Sequence, residues 1–275
     1  MERILFTLIT DRPEGVRQQL AHIESLRQRD AVAREMIVGY HLEGPYLSPM
    51  PGYHGAHPHE LMRRPDPREF AEFQQAANGC IRLLTLAPEL PGSSELIASA
   101  RALGVVVSLG HTDANDRQID DAIAAGASMC THLGNGIPGQ LARHDNVMQR
   151  LLARDELTAC FIPDGHHLPP FALRNLFRAK PTGKVILTTD AMAAAGAGPG
   201  RYRLGRLEVE VGADGIVREP GQTNFAGSSL TLEQGVANAA SWLRIPEANA
   251  WEMASTRVAE LFGVELPVIV APSQT

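Results

Sequence analysis

The sequence predicts an α/β protein of the (β/α)8 TIM-barrel type, incomplete, with about seven βα units recognisable in 275 residues. Three observations lead there. Short runs rich in Val, Ile, Leu and Thr recur along the chain, and each ends at a polar or glycine cluster. Between them lie longer stretches with apolar residues three or four apart, the pattern of helices crossing over a buried parallel sheet.

The first run covers residues 4–10 and is followed by a helical pattern over 14–28. Runs at 37–42, 81–86, 105–109, 128–131, 158–162 and 185–189 bring the candidate strands to seven. Helical patterns at 94–103, 116–125 and 170–178 supply an outer layer for the barrel. After the seventh run, residues 201–211, the dipeptide Asp214-Gly215 and residues 216–218 read as a small β-hairpin inserted before the final helices. Two helices follow, over 230–242 and 251–262, the second stopping at Gly263. The tail from Pro267 onward reads as a strand that stops early.

A complete ring of this type needs about 250 residues, so residues 1–275 are expected to form a single barrel domain. The composition is 44% hydrophobic and 20% charged, ordinary for a globular protein with a large core. A formal net charge of −6 gives no reason to expect a nucleic-acid or acidic-membrane partner, since either favours a clustered basic face. Small-molecule chemistry is favoured instead. Cys80, Cys130 and Cys160 are widely spaced within apolar runs, where a thiol packs as a small hydrophobe. The start, MERILFTLITDRPEG, lacks the apolar stretch of a secretion signal, and no run reaches the roughly 18 apolar residues of a membrane span. A cytoplasmic protein is expected.

In a parallel barrel the active site lies at the carboxyl ends of the strands, so polar residues just after an apolar run share one pocket. Five runs end that way, at Glu43 in HLEGP, at Gly110-His111, at Thr131-His132, at Asp164-Gly165-His166-His167 and at Thr189-Asp190. Glu43, His111, His132 and Asp190 would then meet. Such a set suits a divalent metal, which lowers the pKa of water towards ~7 and polarises a carbonyl. Asp190 could take a proton from that water and deliver it to a departing amine, so amide hydrolysis follows.

Each residue alone has a plainer reading. A strand-end histidine is often a hydrogen-bonded core or surface residue, and Glu43 could cap a turn or pair with an arginine. The cysteines lack a base or ligand spacing and read as core. The segment AAGAGPG over 194–200 lacks the lysine and spacing of a nucleotide loop and reads as a flexible turn, and Arg63-Arg64 reads as a solvated face. Arg143, beside His144 and shortly after Asn135-Gly136, could hold an anionic substrate group.

Taken in order, LFTLIT, HLEGPYLS, GAHP, SLGHT, THLGNGIP, PDGHH, LTTDAMAAAG, FAGSSLTL and ASTRVAELFG resemble the N-acetylglucosamine-6-phosphate deacetylases of the amidohydrolase superfamily over nearly the whole chain. The resemblance implies a barrel hydrolase acting on a linear amide. Its one metal, zinc or else ferrous iron, is held by Glu43, His111 and His132, and Asp190 is the general acid and base. It implies that His57 helps hold the acetyl carbonyl, that His167 contacts the sugar, and that Ala226 lies in the substrate site. Asn135, Gly136 and Arg143 match phosphate-holding positions, Arg143 reaching across the interface of a homodimer with a shared active site.

The sequence departs from the family pattern at Gly134, Gly136 and Ile137, so a reshaped sugar pocket is expected, and again at His144, Asp145 and Asn146, so the match at the phosphate-holding loop is weaker than that at the metal ligands. Relative to the family, a small β-domain and the first barrel strand before LFTLIT, and the β-domain segment after ASTRVAELFG, are not seen. One metal rather than two is therefore expected, and an open ring with two unpaired edges. Three functions remain open: deacetylation of N-acetylglucosamine 6-phosphate, hydrolysis of another N-acyl sugar or amide, and a non-catalytic sugar-phosphate-binding fragment.

Overall fold

Seven parallel strands curl into an open barrel in which sequence order is also spatial order, β1 to β7. A computed structural model describes residues 3–222 and 224–266. The strand expected in the tail from Pro267 lies outside the described residues. The elements are β1 (Ile4–Leu8), α1 (Pro13–Arg29), α2 (Ala31–Met36), β2 (Ile37–Glu43), α3 (Pro67–Ala76), β3 (Ile81–Leu86), α4 (Ser93–Ala102) and β4 (Val106–Leu109). They continue as α5 (Asp116–Ala125), β5 (Met129–Cys130), α6 (Val147–Leu152), β6 (Thr158–Phe161), α7 (Pro170–Ala179) and β7 (Val185–Leu187). After these come β8 (Gly200–Leu204), β9 (Leu207–Val211), β10 (Val217–Arg218), α8 (Leu232–Leu243), α9 (Glu247–Ala254) and α10 (Thr256–Phe262). The expected incomplete barrel is what forms.

The period-two alternation of the strands sorts their side chains into two sets. Tyr40, Leu42, Leu84, Leu86, Val107, Leu109, Ala159 and Phe161 belong to the large core under the helices. Leu83, Met129, Cys160 and Ile186 belong to a separate interior cluster, packed against Val258, Leu261 and Phe262 of α10. That helix is tied at both ends of its run. Arg257 Nη1 donates to the carbonyls of Thr182 at 2.5 Å and Val185 at 3.3 Å, at the start of β7, and Arg82 Nη1 donates to Phe262 O at 3.1 Å. The amino end of the barrel interior is thus apolar and capped by α10, while polar residues gather higher in the strands.

β1 and β7 are the two sheet edges, since each pairs a described strand on one side only. At the β1 edge Phe6 stays 38% exposed although it lies on the helix-facing side of its strand.

Four expectations need correction. Residues 201–211 are two strands: Gly205 takes a left-handed φ of 57°, which closes a tight turn between β8 and β9, and β10 then makes the sheet three-stranded. The helix expected over 251–262 breaks into α9 and α10 at Ser255, whose hydroxyl turns back to Trp251 O at 2.5 Å. Cys80 is half-exposed, unlike the buried Cys130 and Cys160. Arg63 is largely covered, with Nε 2.9 Å from both oxygens of Glu69 and Nη1 donating to Asp11 O and Leu61 O at 3.0 Å; only Arg64 is exposed. No helix among the described residues is long and apolar enough to cross a membrane.

Leu84→Ala, in the fully buried core, is expected to cost about 2–5 kcal/mol. Phe6→Ser on the uncovered edge is expected to cost under about 1 kcal/mol. Denaturant unfolding of both variants checks this, and a loss at Phe6 as large as at Leu84 would show that the edge is covered.

Candidate metal centre

β2 ends on Glu43, and His111 and His132 follow the ends of β4 and β5, so the three come together at the carboxyl rim of the barrel. One oxygen of Glu43 and one ring nitrogen of each histidine lie within 4.8 Å of one another, and all three residues are buried. Glu43 Oε1 stands 3.1 Å from His111 Nε2 and 3.0 Å from His132 Nε2, and the two ring nitrogens are 3.2 Å apart.

The His111 tautomer decides what this cluster can hold. Its Nδ1 lies 2.8 Å from the carbonyl of Tyr53, which can only accept, so Nδ1 carries a proton, and the neutral ring would turn the lone pair of Nε2 to a bound cation. A backbone carbonyl on the outer nitrogen is the usual support of a metal-bound imidazole. Two glycines make room for the ring. A Cβ on Gly136 would come within 2.8 Å of His111 Nδ1, and one on Gly55 within 2.9 Å of its Cε1.

The electrostatics favour positive charge here. Burial alone would raise the Glu43 carboxyl, but the imidazoles of His111, His132 and His57 hold it well below the usual carboxylate range. Burial also works against a charged His132, yet the hydrogen bond and charge of Glu43 push it up to about 9. A field that draws a proton onto a buried imidazole draws a divalent cation to the same point, where the two compete. The donor set of one carboxylate and two imidazoles fits zinc or ferrous iron and leaves positions open.

Backbone strain marks the same rim. His111 at φ 51°, His132 at φ 28° and Asp190 at φ 51° are in the left-handed region, where residues other than glycine are uncommon. Only two other described non-glycine residues share it, Asn78 and Arg244. Such conformations cost about 1–3 kcal/mol each and gather at functional sites. Asp190 follows β7 and is pinned from the FAGSS segment, whose Ser228 donates its N–H to Asp190 O at 2.8 Å and its hydroxyl to Thr189 O at 2.5 Å. Burial, then the charge of Glu43, pushes the Asp190 carboxyl up to about 6, with His132, His167 and His111 acting in the opposite sense.

His57 joins the cluster, with Nε2 3.7 Å from Glu43 Oε1. Its Nδ1 accepts the backbone N–H of Thr10 at 3.3 Å, so the ring proton sits on Nε2 and faces the centre. His167 is held by Asp164, 2.6 Å from its Nδ1, and stacks edge-on against Phe225. Asn135 closes a turn, donating its N–H and its Nδ2 to His132 O at 3.0 and 3.2 Å.

Two further residues are placed apart from this cluster. Ala226 is fully buried against Met192 and the β8–β10 sheet, and its N–H is taken by Val217 O at 3.1 Å. Arg143 is exposed on its loop and makes no ion pair among the described residues. Its neighbours in ARHDN are structural: Asp145 pairs with Arg150 at 2.6 Å, and Asn146 caps α6 by accepting Gln149 N–H at 3.0 Å.

Thr10, which orients His57, has no role in the sequence analysis, and Asp164, named there only as a strand-end residue, is what orients His167. Thr10 ends the first apolar run, so the strand-end rule applied to the other runs would have found it.

No protein-family model matches the chain. The chain is 34% identical over 259 residues to the N-acetylglucosamine-6-phosphate deacetylase of Vibrio furnissii, covering 94% of this chain and 63% of that protein. It is 34% identical over 229 residues to the N-acetylgalactosamine-6-phosphate deacetylase of Escherichia coli O157:H7, covering 83% of this chain and 59% of that one. A solved mutant N-acetyl-D-glucosamine-6-phosphate deacetylase from Mycobacterium smegmatis, in complex with N-acetyl-D-glucosamine-6-phosphate, superposes with a TM-score of 0.87 at 34% identity. The match covers 96% of this chain and 68% of that structure. The chain thus spans about two thirds of the length of these proteins or less.

The Asp164–His167 pair gives a pH signature. Burial raises the Asp164 carboxyl, but the His167 hydrogen bond and charge hold it below its ordinary value. A depressed carboxylate contributes stability above its unfolded pKa of about 3.9 and loses it as the pH falls through the folded value. Asp164→Asn is therefore expected to lower the denaturation midpoint above about pH 5, with the gap to the parent narrowing towards pH 3. A gap that stays constant across that range would contradict the pairing.

Proposed function

The chain belongs to the N-acetylglucosamine-6-phosphate deacetylase family, and from that premise we propose that it hydrolyses the acetamide of N-acetylglucosamine 6-phosphate to glucosamine 6-phosphate and acetate. It does so with one divalent metal ion, zinc or ferrous iron, at Glu43, His111 and His132. The observation that carries this reading is the convergence of those three ligand atoms within 4.8 Å, beside Asp190 and His57.

When bound, the cation supplies a Lewis acid that polarises the acetyl carbonyl and acidifies water. Glu43, His111 and His132 fix its place. Asp190 takes a proton from the attacking water and passes it to the departing amine. His57 directs its Nε2–H at the acetyl oxygen as that oxygen gains charge. With Nδ1 engaged by Asp164, His167 turns Nε2 towards a sugar hydroxyl.

Asn135 and Gly136 line the substrate pocket through their backbone and amide groups, and Ala226, whose N–H is taken by Val217 O, has only its carbonyl to offer there. Arg143 reaches the phosphate in the partner subunit of a homodimer, which accounts for an exposed arginine without an ion pair among the described residues. A phosphorylated sugar substrate supports a cytoplasmic enzyme.

A second reading, N-acetylgalactosamine 6-phosphate as substrate, is supported by the 34% identity to a deacetylase of that name and by the changed residues Gly134, Gly136 and Ile137.

Acetate release is to be measured with zinc- or iron-loaded protein on both sugar phosphates and on their unphosphorylated forms. Asp190→Asn is expected to keep about one metal per chain while kcat falls about 10²–10⁴-fold. Arg143→Ala is expected to raise KM about 10–100-fold for phosphorylated sugars alone, the worth of a charge-assisted hydrogen bond. Full turnover by Asp190→Asn removes it from the mechanism, and equal effects on both kinds of sugar remove Arg143 from phosphate binding.

A further inference from the structure

Directly beneath the three ligands, the barrel interior carries a hydrogen-bonded row that crosses five strands or strand ends. Thr7 Oγ1 of β1 lies 3.2 Å from His41 Nδ1 of β2, and His41 Nε2 lies 2.8 Å from Thr85 Oγ1 of β3. Thr85 Oγ1 is 2.7 Å from Thr131 Oγ1 just after β5, which is 2.6 Å from Ser108 Oγ of β4. Thr7 is exposed at the β1 edge, but His41, Thr85, Ser108 and Thr131 are buried, where polar groups are costly unless paired, and here each has a partner.

The row touches the chain at every ligand. His41 precedes Glu43 by two residues on the same strand face, and Thr131 immediately precedes His132. The third ligand is reached through Gly110, which precedes His111. A Cβ there would lie 3.0 Å from both Thr131 Cβ and Thr85 Cγ2, so the two threonines close directly on its backbone. Thr85 also accepts the N–H of Gly44, next to Glu43, on its carbonyl at 3.2 Å. An apolar row could fill the same space, but its members could slide. Directional bonds between strands fix how far each strand end projects, and His111 and His132 hold strained backbone that needs such support.

The geometry points to His41, Thr85, Thr131 and Ser108 as a positioning layer that sets the spacing of Glu43, His111 and His132 and so tunes the affinity of the cation site. His41 is the hub, because its ring alone joins β1 and β3 across β2. None of the four touches the centre, so they are positioning residues. This inference rests on the cation site proposed above and does not depend on which sugar is the substrate.

The test is zinc affinity, measured by competition with a chromophoric chelator on purified protein, alongside the melting temperature of the metal-free form and steady-state kinetics. Thr85→Val removes the hydroxyl at constant volume, and His41→Leu removes the hub. Both are expected to weaken zinc binding about 10–100-fold, the usual effect of losing an outer partner of a metal site, with the loss in activity at subsaturating zinc falling on kcat and not on KM. His41→Gln, which can still donate and accept, is expected to recover most of the affinity. Should His41→Leu fail to fold, Thr85→Val and Ser108→Ala carry the test. Folded variants with the parent's zinc affinity would overturn the positioning role. A parent protein that binds no zinc would instead overturn the cation site itself.

Discussion

A carboxylate with almost no access to water keeps its charge only with hydrogen-bond donors or a cation beside it. Glu43 is such a group, and the arrangement around it answers that constraint. His111 and His132 meet its oxygen from two other strands, and Tyr53 O holds a proton on the outer nitrogen of His111, so that the neutral ring would turn a bare nitrogen to a bound cation. The strained backbone of His111, His132 and Asp190 is tolerated because strand pairing, the Ser228 contacts and the tight approach of Gly136 and Gly55 to the His111 ring leave those segments little alternative.

The barrel divides its interior accordingly. The amino end is filled by Leu83, Met129, Cys160 and Ile186 under α10, which ties the start of β7 to β3 through Arg257 and Arg82. Above it the interior turns polar, and above that lie the ligands. An interior of graded polarity lets strands rich in Val, Ile and Leu place the ligand side chains at or just after their carboxyl ends. The open β1 edge leaves this gradient intact, because the ligands sit on β2 and after β4 and β5, one or more strands in from either edge.

Much of this was legible in the sequence, for a physical reason. Parallel strands buried on both faces must be apolar along their length, so Glu43, His111, His132 and Asp190 stood out as polar residues at the ends of apolar runs. What escaped notice were short-range effects that pattern averages away. Gly205 splits 201–211 into two strands through one left-handed residue, and Ser255 divides a helical pattern with one side chain. The helices α2, α3 and α6 were not expected, although Asp30, Asp66 and Asn146 cap them in the usual manner. Arg63 looked like a surface charge because nothing local announces Glu69 and Asp11 O as its partners. His41 and Thr85 lie mid-strand, where a polar residue in one sequence cannot be told from a stray.

The central claim, a cation held by one carboxylate and two imidazoles, is tested most directly by X-ray absorption at the metal edge of zinc-loaded protein. The account predicts a nitrogen and oxygen shell at about 2.0–2.2 Å, with outer-shell scattering from two imidazoles that falls to one in His132→Ala. Sulfur scatterers near 2.3 Å, or a spectrum that His132→Ala leaves unchanged, would contradict it.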